Sequence, residues 1–407
     1  MGWSVRAIGE DALEPLLDVT STAMHGLFAA PARRRVASRL EVERMRVVTD
    51  GGAMVGTSGA YTRTLSVPGG ELACAGVTFV AVLPTHRRRG VLRAMMDAVI
   101  ADARERGEPV AALWASEGGI YGRFGFGPAT WTRRSRIELA AGVPLRAPVL
   151  ALPLRFGDLV ADAPALAAIH ERVRGQRAGI TSRPPVWWRA RILSDEEDER
   201  AAGPKRLVVC GDDGYALYRV HEQAGAGPVG QDARTTVAVQ ELLAATPEAG
   251  RALLAFLTSI DLATDVELHE RPLDDDLALA TADPRALRTV QQGDALWLRI
   301  LDLPAAVAGR AWAADLDLVL QVDAPADPVL DGRWALRARD GRAEAERSDR
   351  EPDLTIPDRD LGAAYLGGTA LVGLHAAGSV QEHRPGTVAQ LDAALRPARA
   401  PWTIEVF

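Results

Sequence analysis

Four consecutive residues, Arg87-Arg88-Arg89-Gly90, carry the clearest chemical signal in the chain. They lie between an apolar run stopped by Pro84 and a stretch of helical spacing that opens at Val91. Free N–H groups at a helix start, the positive end of its dipole and adjacent guanidinium groups together make a seat for an anion. A glycine lets a phosphate come close to the backbone, and a pyrophosphate is the natural occupant. No Gly-Lys-Ser/Thr follows, so the turn is not a Walker loop. One glycine without an early βαβ start is not a dinucleotide fingerprint either. Taken alone, the residues are more simply a basic first turn with solvated arginines.

The elements that must position this turn follow from periodicity. Asp11–Met24 has a helical pattern, followed by the basic cluster Arg33–Arg35. Arg46–Thr49 and Ala53–Arg63, joined by Asp50-Gly51-Gly52, predict a β-hairpin. After the turn Val67-Pro68-Gly69-Gly70, the run Ala73–Leu83 predicts a buried central strand. Gly90–Arg106 predicts a helix closed by Gly107, and Val110–Ala115 another buried strand.

Past an Ala/Pro/Leu-rich linker at Ala141–Leu154, a similar order recurs in weaker form. It has a helix near Pro164–Arg172, strands near Leu207–Cys210 and Tyr215–His221, and a gap at Ala224–Gly230. A strand at Thr235–Val239, a helix at Glu248–Leu257 and a strand at Asp265–His269 complete it. The acidic run Asp195–Glu199 fits a solvated loop, and Trp187-Trp188 fit core or an interface. A third, α+β segment starts near Gln291, with a short helix over Trp297–Ala308 and strands at Leu316–Val322, Arg333–Arg339 and Ala343–Glu346. Two amphipathic stretches, Asp358–Leu366 and Ala370–Ala376, follow. The last residues, Pro401 to Phe407, are apolar to the end, which predicts a buried terminus.

Composition narrows the function. The 407 residues are 47% apolar, 25% charged and 5% aromatic, as in a globular protein of two or three domains. A formal charge of −7 argues against a nucleic-acid partner and gives weak support to a cationic one. Cys74 and Cys210 sit in apolar runs, as buried thiols of a reducing compartment do. No metal-ligand spacing, signal peptide or apolar run of membrane-spanning length is found, so the expectation is a cytoplasmic chain with no metal and no membrane span. Export without a leader stays open.

The segment Val80-Ala81-Val82-Leu83-Pro84-Thr85-His86-Arg87-Arg88-Arg89-Gly90-Val91-Leu92 resembles motif A of the GNAT superfamily of N-acetyltransferases. Arg87-x-x-Gly90 matches its first half; Leu92 departs from the small residue usual there. Continued through Arg93-Ala94-Met95, the stretch is similar to the Eis branch, and the resemblance spans essentially the whole chain. It implies tandem acetyltransferase-like domains of α/β type, at 1–140 and 141–290, the second degenerate. A sterol-carrier-protein-like α+β domain at 291–407 follows. It further implies acetyl-CoA as co-substrate, held by Val80, Ala81 and Val82, by Arg87, Arg88, Arg89, Gly90, Val91, Leu92 and Arg93, and by Ser116-Glu117. Strand backbone would pair with the amides of the pantetheine arm, and guanidinium forks would hold phosphate.

The same resemblance implies catalytic roles. Tyr121, in Tyr121-Gly122-Arg123-Phe124-Gly125-Phe126-Gly127, matches the tyrosine that protonates the departing thiolate. An incoming ammonium must lose its proton, and no His or Glu near the motif is evidently placed to take it; His86 lies in the cofactor turn. In Eis-like proteins the terminal carboxylate does so, here that of Phe407. Direct attack in a ternary complex on primary amines of polycations such as aminoglycosides is implied, with lysine side chains as further acceptors and a homohexamer as the assembly. A lipid or sterol carrier with a vestigial acetyltransferase half is the competing reading, and the polar, Arg/Asp-rich third segment speaks against it. Phe79 is a candidate pocket wall, although core packing explains it as well.

Overall fold

The computed structural model describes residues 3–26, 30–139, 142–196, 203–223 and 234–407. The gap at 224–230, residues 197–199 of the acidic run and the first linker residue, 141, lie outside these.

Among the described residues, three sheets carry the fold. The first has seven strands in the order Val5–Ala7, Arg46–Asp50, Ala53–Val67, Gly70–Val82, Val110–Trp114, Leu296–Ile300 and Gly127–Pro128. Ala53–Val67 and Gly70–Val82 form a long antiparallel hairpin, and Gly70–Val82 runs parallel to Val110–Trp114. The crossover between that parallel pair is the helix Val91–Glu105. Val91, Met95, Met96, Val99, Ile100 and Ala103 recur on one face of it, and all six are buried against the sheet. Gly56 makes that approach possible, because a Cβ there would stand 2.8 Å from Val91 Cγ1. At the other end Arg44 donates to both oxygens of Glu108 at 2.8 and 2.7 Å, and Arg46 to Asp102 at 2.8 Å.

The second sheet repeats the plan in the order Leu287–Asp294, Trp131–Glu138, Asp265–Arg271, Arg234–Ala244, Gly214–Gln223, Arg206–Cys210, Leu154–Phe156. Its parallel pair, Arg234–Ala244 with Asp265–Arg271, is joined by the helix Pro247–Thr258. The third sheet has five strands, Arg342–Arg347, Gly332–Arg339, Leu316–Asp323, Leu354–Pro357 and Gln381–Glu382. The helices Asp358–Tyr365 and Thr387–Leu395 share its core, where Leu318, Leu336, Ile356, Leu361 and Leu391 fill the interior from both sides.

Two strands cross between modules. Trp131–Glu138 follows the last strand of the first sheet yet lies in the second, between Leu287–Asp294 and Asp265–Arg271. Leu296–Ile300 makes the return journey, pairing with Val110–Trp114. The first two sheets are therefore interlocked across positions 140 and 290.

One expectation needs correction and one is narrowed. The helix expected over Trp297–Ala308 is in its first part a strand: Leu296–Ile300 is buried throughout, and only Leu303–Ala308 is helical. A short apolar run of a central strand has no period that tells it from a buried helix. The cap signal sits later, where the Asp302 side chain accepts from Ala305 N–H at 3.0 Å. Of the two roles expected for Trp187 and Trp188, core or interface, the structure gives the core: they are 2% and 5% exposed.

Candidate active site

The parallel pairing in the first sheet lasts only from Cys74 to Gly76, opposite Val110 to Ala112. Beyond that the two strands no longer pair with each other, so a cleft opens between them. A bulge drives the divergence: between the pairs Gly59–Thr78 and Thr57–Ala81, Gly70–Val82 holds one residue more than its partner. Phe79, inside the bulge, takes a left-handed φ of +54°. Val80 has no ladder partner, while Ala81 and Val82 pair with Thr57 and Gly56 on one side and face the cleft on the other.

The cleft widens into a cavity of about 470 Å³. Phe79 and Val80 line it from one strand, Leu113 and Ser116 from the other strand and its extension, and Tyr121 and Phe407 close it. Two residues nearly three hundred positions apart in sequence are thus brought to one wall. Tyr121 ends the short helix Gly118–Tyr121 and meets the Phe126 ring edge-on at 6.3 Å. Burial pushes its hydroxyl above the ordinary tyrosine range, and a hydrogen bond with the Ser116 side chain pulls the other way. Glu117 is exposed beside this wall and does not line it.

Phe407 lays its ring on the sheet at Gly76, where a Cβ would stand 3.2 Å from the ring. A buried polar network anchors the tail that carries it. Trp187 Nε1 donates to Glu405 at 2.9 Å, and Arg183 donates to Glu405 and, at 3.0 and 2.6 Å, to both oxygens of Glu241. The Tyr215 hydroxyl donates to Glu241 as well. Burial alone would raise the Glu241 carboxyl, but Arg183 holds it below the usual carboxylate range. Upstream, Trp402 Nε1 donates to the Glu270 carbonyl at 2.6 Å.

The basic turn lies at the far end of Gly70–Val82. A single turn of 3₁₀ helix, Pro84–His86, leads to Arg88 at φ +61° and Gly90 at φ +87°, and the helix starts at Val91 without a side-chain cap. Its first N–H groups are left for an external acceptor. A Cβ at Gly90 would meet only the Trp3 ring, at 3.9 Å, so conformation rather than space calls for glycine. Arg87, Arg88, Arg89 and Arg93 are exposed. Arg87 bends back to the carbonyls of Val82 and Ala23, Arg89 lies over Trp3 and Arg93 over Phe124. Val91 is buried and Leu92 half-buried, which leaves only their backbone facing the turn.

The second module lacks this cradle. Its corresponding turn, Ala245-Thr246-Pro247-Glu248, has neither arginine nor glycine, and the Thr246 side chain already accepts from Ala249 N–H at 3.3 Å. That module is degenerate at the place where the first is equipped.

Periodicity did not reveal the cationic side of the cavity. Arg35, from the cluster at 33–35, lines it together with Arg39 and Arg191, and no Asp or Glu side chain among the described residues does. The three converge from separate segments, so no local motif marks them. Phe79 is indeed a wall residue. Among the described residues no group of three or more His, Cys, Asp or Glu side chains could hold a metal ion, and no helix is long and apolar enough to cross a membrane.

Comparison with known proteins agrees with this arrangement. Residues 4–129 and 179–300 match two acetyltransferase (GNAT) domain families, and residues 303–404 match the sterol carrier protein domain. An uncharacterized N-acetyltransferase of Streptomyces avermitilis is 38% identical over 99% of both chains. The N-acetyltransferase Eis of Mycobacterium tuberculosis is 35% identical over 85% of this chain and 84% of its own. The crystal structure of Eis1 from Mycobacterium abscessus superposes with a TM-score of 0.88 at 33% identity, covering 99% of this chain and 100% of that one. The chain therefore belongs to the Eis family of N-acetyltransferases in the GNAT superfamily, with tandem GNAT domains followed by a sterol-carrier-protein-like domain.

Proposed function

We propose that the first module transfers the acetyl group of acetyl-CoA directly to a primary amine held in the cavity. The observation that carries this is the meeting of a splayed strand edge, Tyr121 and Phe407 around one space. The backbone N–H groups from Arg88 to Leu92, with Arg87, Arg88, Arg89 and Arg93 around them, suit a pyrophosphate. The open edge of Val80, Ala81 and Val82 offers amide partners to the pantetheine arm, with Ser116 and Glu117 on the opposite flank. When bound, acetyl-CoA supplies an activated thioester carbonyl. Tyr121, kept protonated by its burial, gives its proton to the leaving thiolate. The carboxylate of Phe407 takes the proton of the amine. Cys74 and Cys210 are buried free thiols away from the cavity wall, which suits direct transfer and a reducing, cytoplasmic compartment.

Kinship with the Eis relatives is what supports polycations such as aminoglycosides, or lysine side chains, as acceptors, and it alone supports a homohexamer. Release of free thiol from acetyl-CoA by the purified chain over a panel of amines tests the transfer. Tyr121→Phe should lower kcat by about 10²–10⁴-fold while coenzyme A still binds in calorimetry. Undiminished turnover would remove the acid role. Extending the chain past Phe407 should abolish turnover, and full activity of the extended protein would remove the role of its carboxylate.

A further inference from the structure

Three arginines line the cavity and a fourth, Arg63, lies behind its wall. Arg35 and Arg39 come from the helix Ala30–Ala37 and the turn after it, Arg191 from the turn Trp188–Ile192, and Arg63 from the strand Ala53–Val67. Two aromatic side chains of the cavity wall, Tyr61 and Trp187, carry two of them. Arg39 and Arg63 lie 4.9 and 4.2 Å from the centre of the Trp187 ring, and Arg63 lies 4.9 Å from that of Tyr61. The two rings meet edge-on at 5.2 Å.

Arg35 is paired with Glu196 at 2.8 Å, but the other three arginines have no ion-pair partner among the described residues. Arg63 is 3% exposed, and none of its three guanidinium nitrogens has a hydrogen-bond partner. Arg39 donates only to the Arg35 carbonyl, at 3.2 Å, and Arg191 makes no hydrogen bond or ion pair among the described residues. Of the nearby carboxylates, Glu41 is hydrogen-bonded with Thr62 N–H and Oγ1 at 2.9 and 2.6 Å and Glu405 with Arg183 and Trp187; the charge of Glu405 favours the Arg63 cation without a hydrogen bond to it, and the Phe407 carboxylate forms no ion pair among the described residues. Burial, and after it the charges of Arg191, Arg63 and Arg35, hold Arg39 below the ordinary arginine range. A buried cation without a counter-ion is costly, and natural structures pair it or coordinate it. Cation–π contacts with two rings offset part of that cost but leave the N–H groups unsatisfied.

We propose that the acceptor is a primary amine that also carries an acid group, a carboxylate or a phosphate, which Arg39 and Arg191 bind, with the charge of Arg63 behind them, while the amine faces Tyr121 and Phe407. The inference rests on the reading of this cavity as the acceptor site. It reverses the polarity expected of a polycation site: the guanidinium groups repel a second ammonium and attract an acid, and bidentate geometry suits both carboxylate and phosphate.

Calorimetry on the full chain with matched small amines tests it without requiring turnover. Aminohexanoate and phosphorylethanolamine supply the two acids, and hexylamine, ethanolamine and diaminohexane are their controls. The expected result is that at least one acid-bearing amine binds about tenfold or more tighter than diaminohexane, the difference one charged pair commonly makes. Arg191→Glu, at the exposed rim, and Arg39→Glu should each reverse that order. Equal or tighter binding of diaminohexane, no binding of either acid-bearing amine, or an order unchanged in both variants would overturn the inference. If the acid-bearing amine binds and no amine releases thiol from acetyl-CoA, acetyl transfer falls and the anion site stands.

Discussion

Gly90 is where the proposed cofactor site depends on one backbone angle. At φ +87° it turns the chain so that the N–H groups opening the helix Val91–Glu105 point outward together, and its surroundings leave room for a side chain. The strain of a β-branched residue held in that conformation is about 1–3 kcal/mol. Gly90→Val should therefore raise KM for acetyl-CoA about tenfold or more with little loss in melting temperature. An unchanged KM would mean that the turn does not hold the cofactor. Candidates of this kind were legible because each belongs to one short segment: Arg87 to Gly90 and Tyr121 each sit in a recognisable run. Arg39, Arg63 and Arg191 were not, because three distant segments meet only after folding. The sequence offered one hint, the basic cluster at 33–35, and nothing in it named a partner.

Among the elements, the tail from Trp402 to Phe407 depends most on others for its place. It has no regular secondary structure, yet Trp402, Thr403 and Glu405 are buried, and Glu405 is fixed by Arg183 and Trp187 from the second module. Its apolar composition predicted a buried end, yet Val406 is exposed and Phe407 half-buried; the ionic anchor came from a residue two positions before the end, whose partners lie over two hundred residues away. Glu405→Gln keeps the shape but loses the charge facing Arg183, which retains Glu241. Stability should fall by about 1–3 kcal/mol, as expected when a charged buried acceptor is replaced. If the network positions Phe407, kcat should drop in the same variant while coenzyme A affinity stays. A stability loss with full kcat would make the anchor structural only. Elements whose burial is two-sided were the hardest to read: Leu296–Ile300 looked helical because every face of it is covered.

For the whole molecule, acid is the expected weakness. Burial, then the neighbouring Arg183, hold His170 below the ordinary histidine range, against the pull of Glu171, Glu405 and Glu241. In the unfolded chain this ring titrates near about 6.5, so below that pH the unfolded state takes up a proton that the folded state refuses. Stability therefore falls as pH drops through that value, and is recovered above it. The melting temperature should decline more between about pH 7.5 and about pH 5.5 in the native protein than in His170→Gln. Equal declines would clear His170 of that role. The tandem plan itself was visible in the repeated order of strand, helix and strand, but the exchange of Trp131–Glu138 and Leu296–Ile300 was not, since periodicity says nothing of which sheet receives a strand. That exchange sets a schedule for biosynthesis. The edge of Val110–Trp114 stays bare until Leu296–Ile300 has left the ribosome, almost two hundred residues later. During that interval the nascent acetyltransferase half presents an unpaired apolar strand, the type of surface on which chaperones act and aggregates grow. Neither half of the pair can be finished before the other.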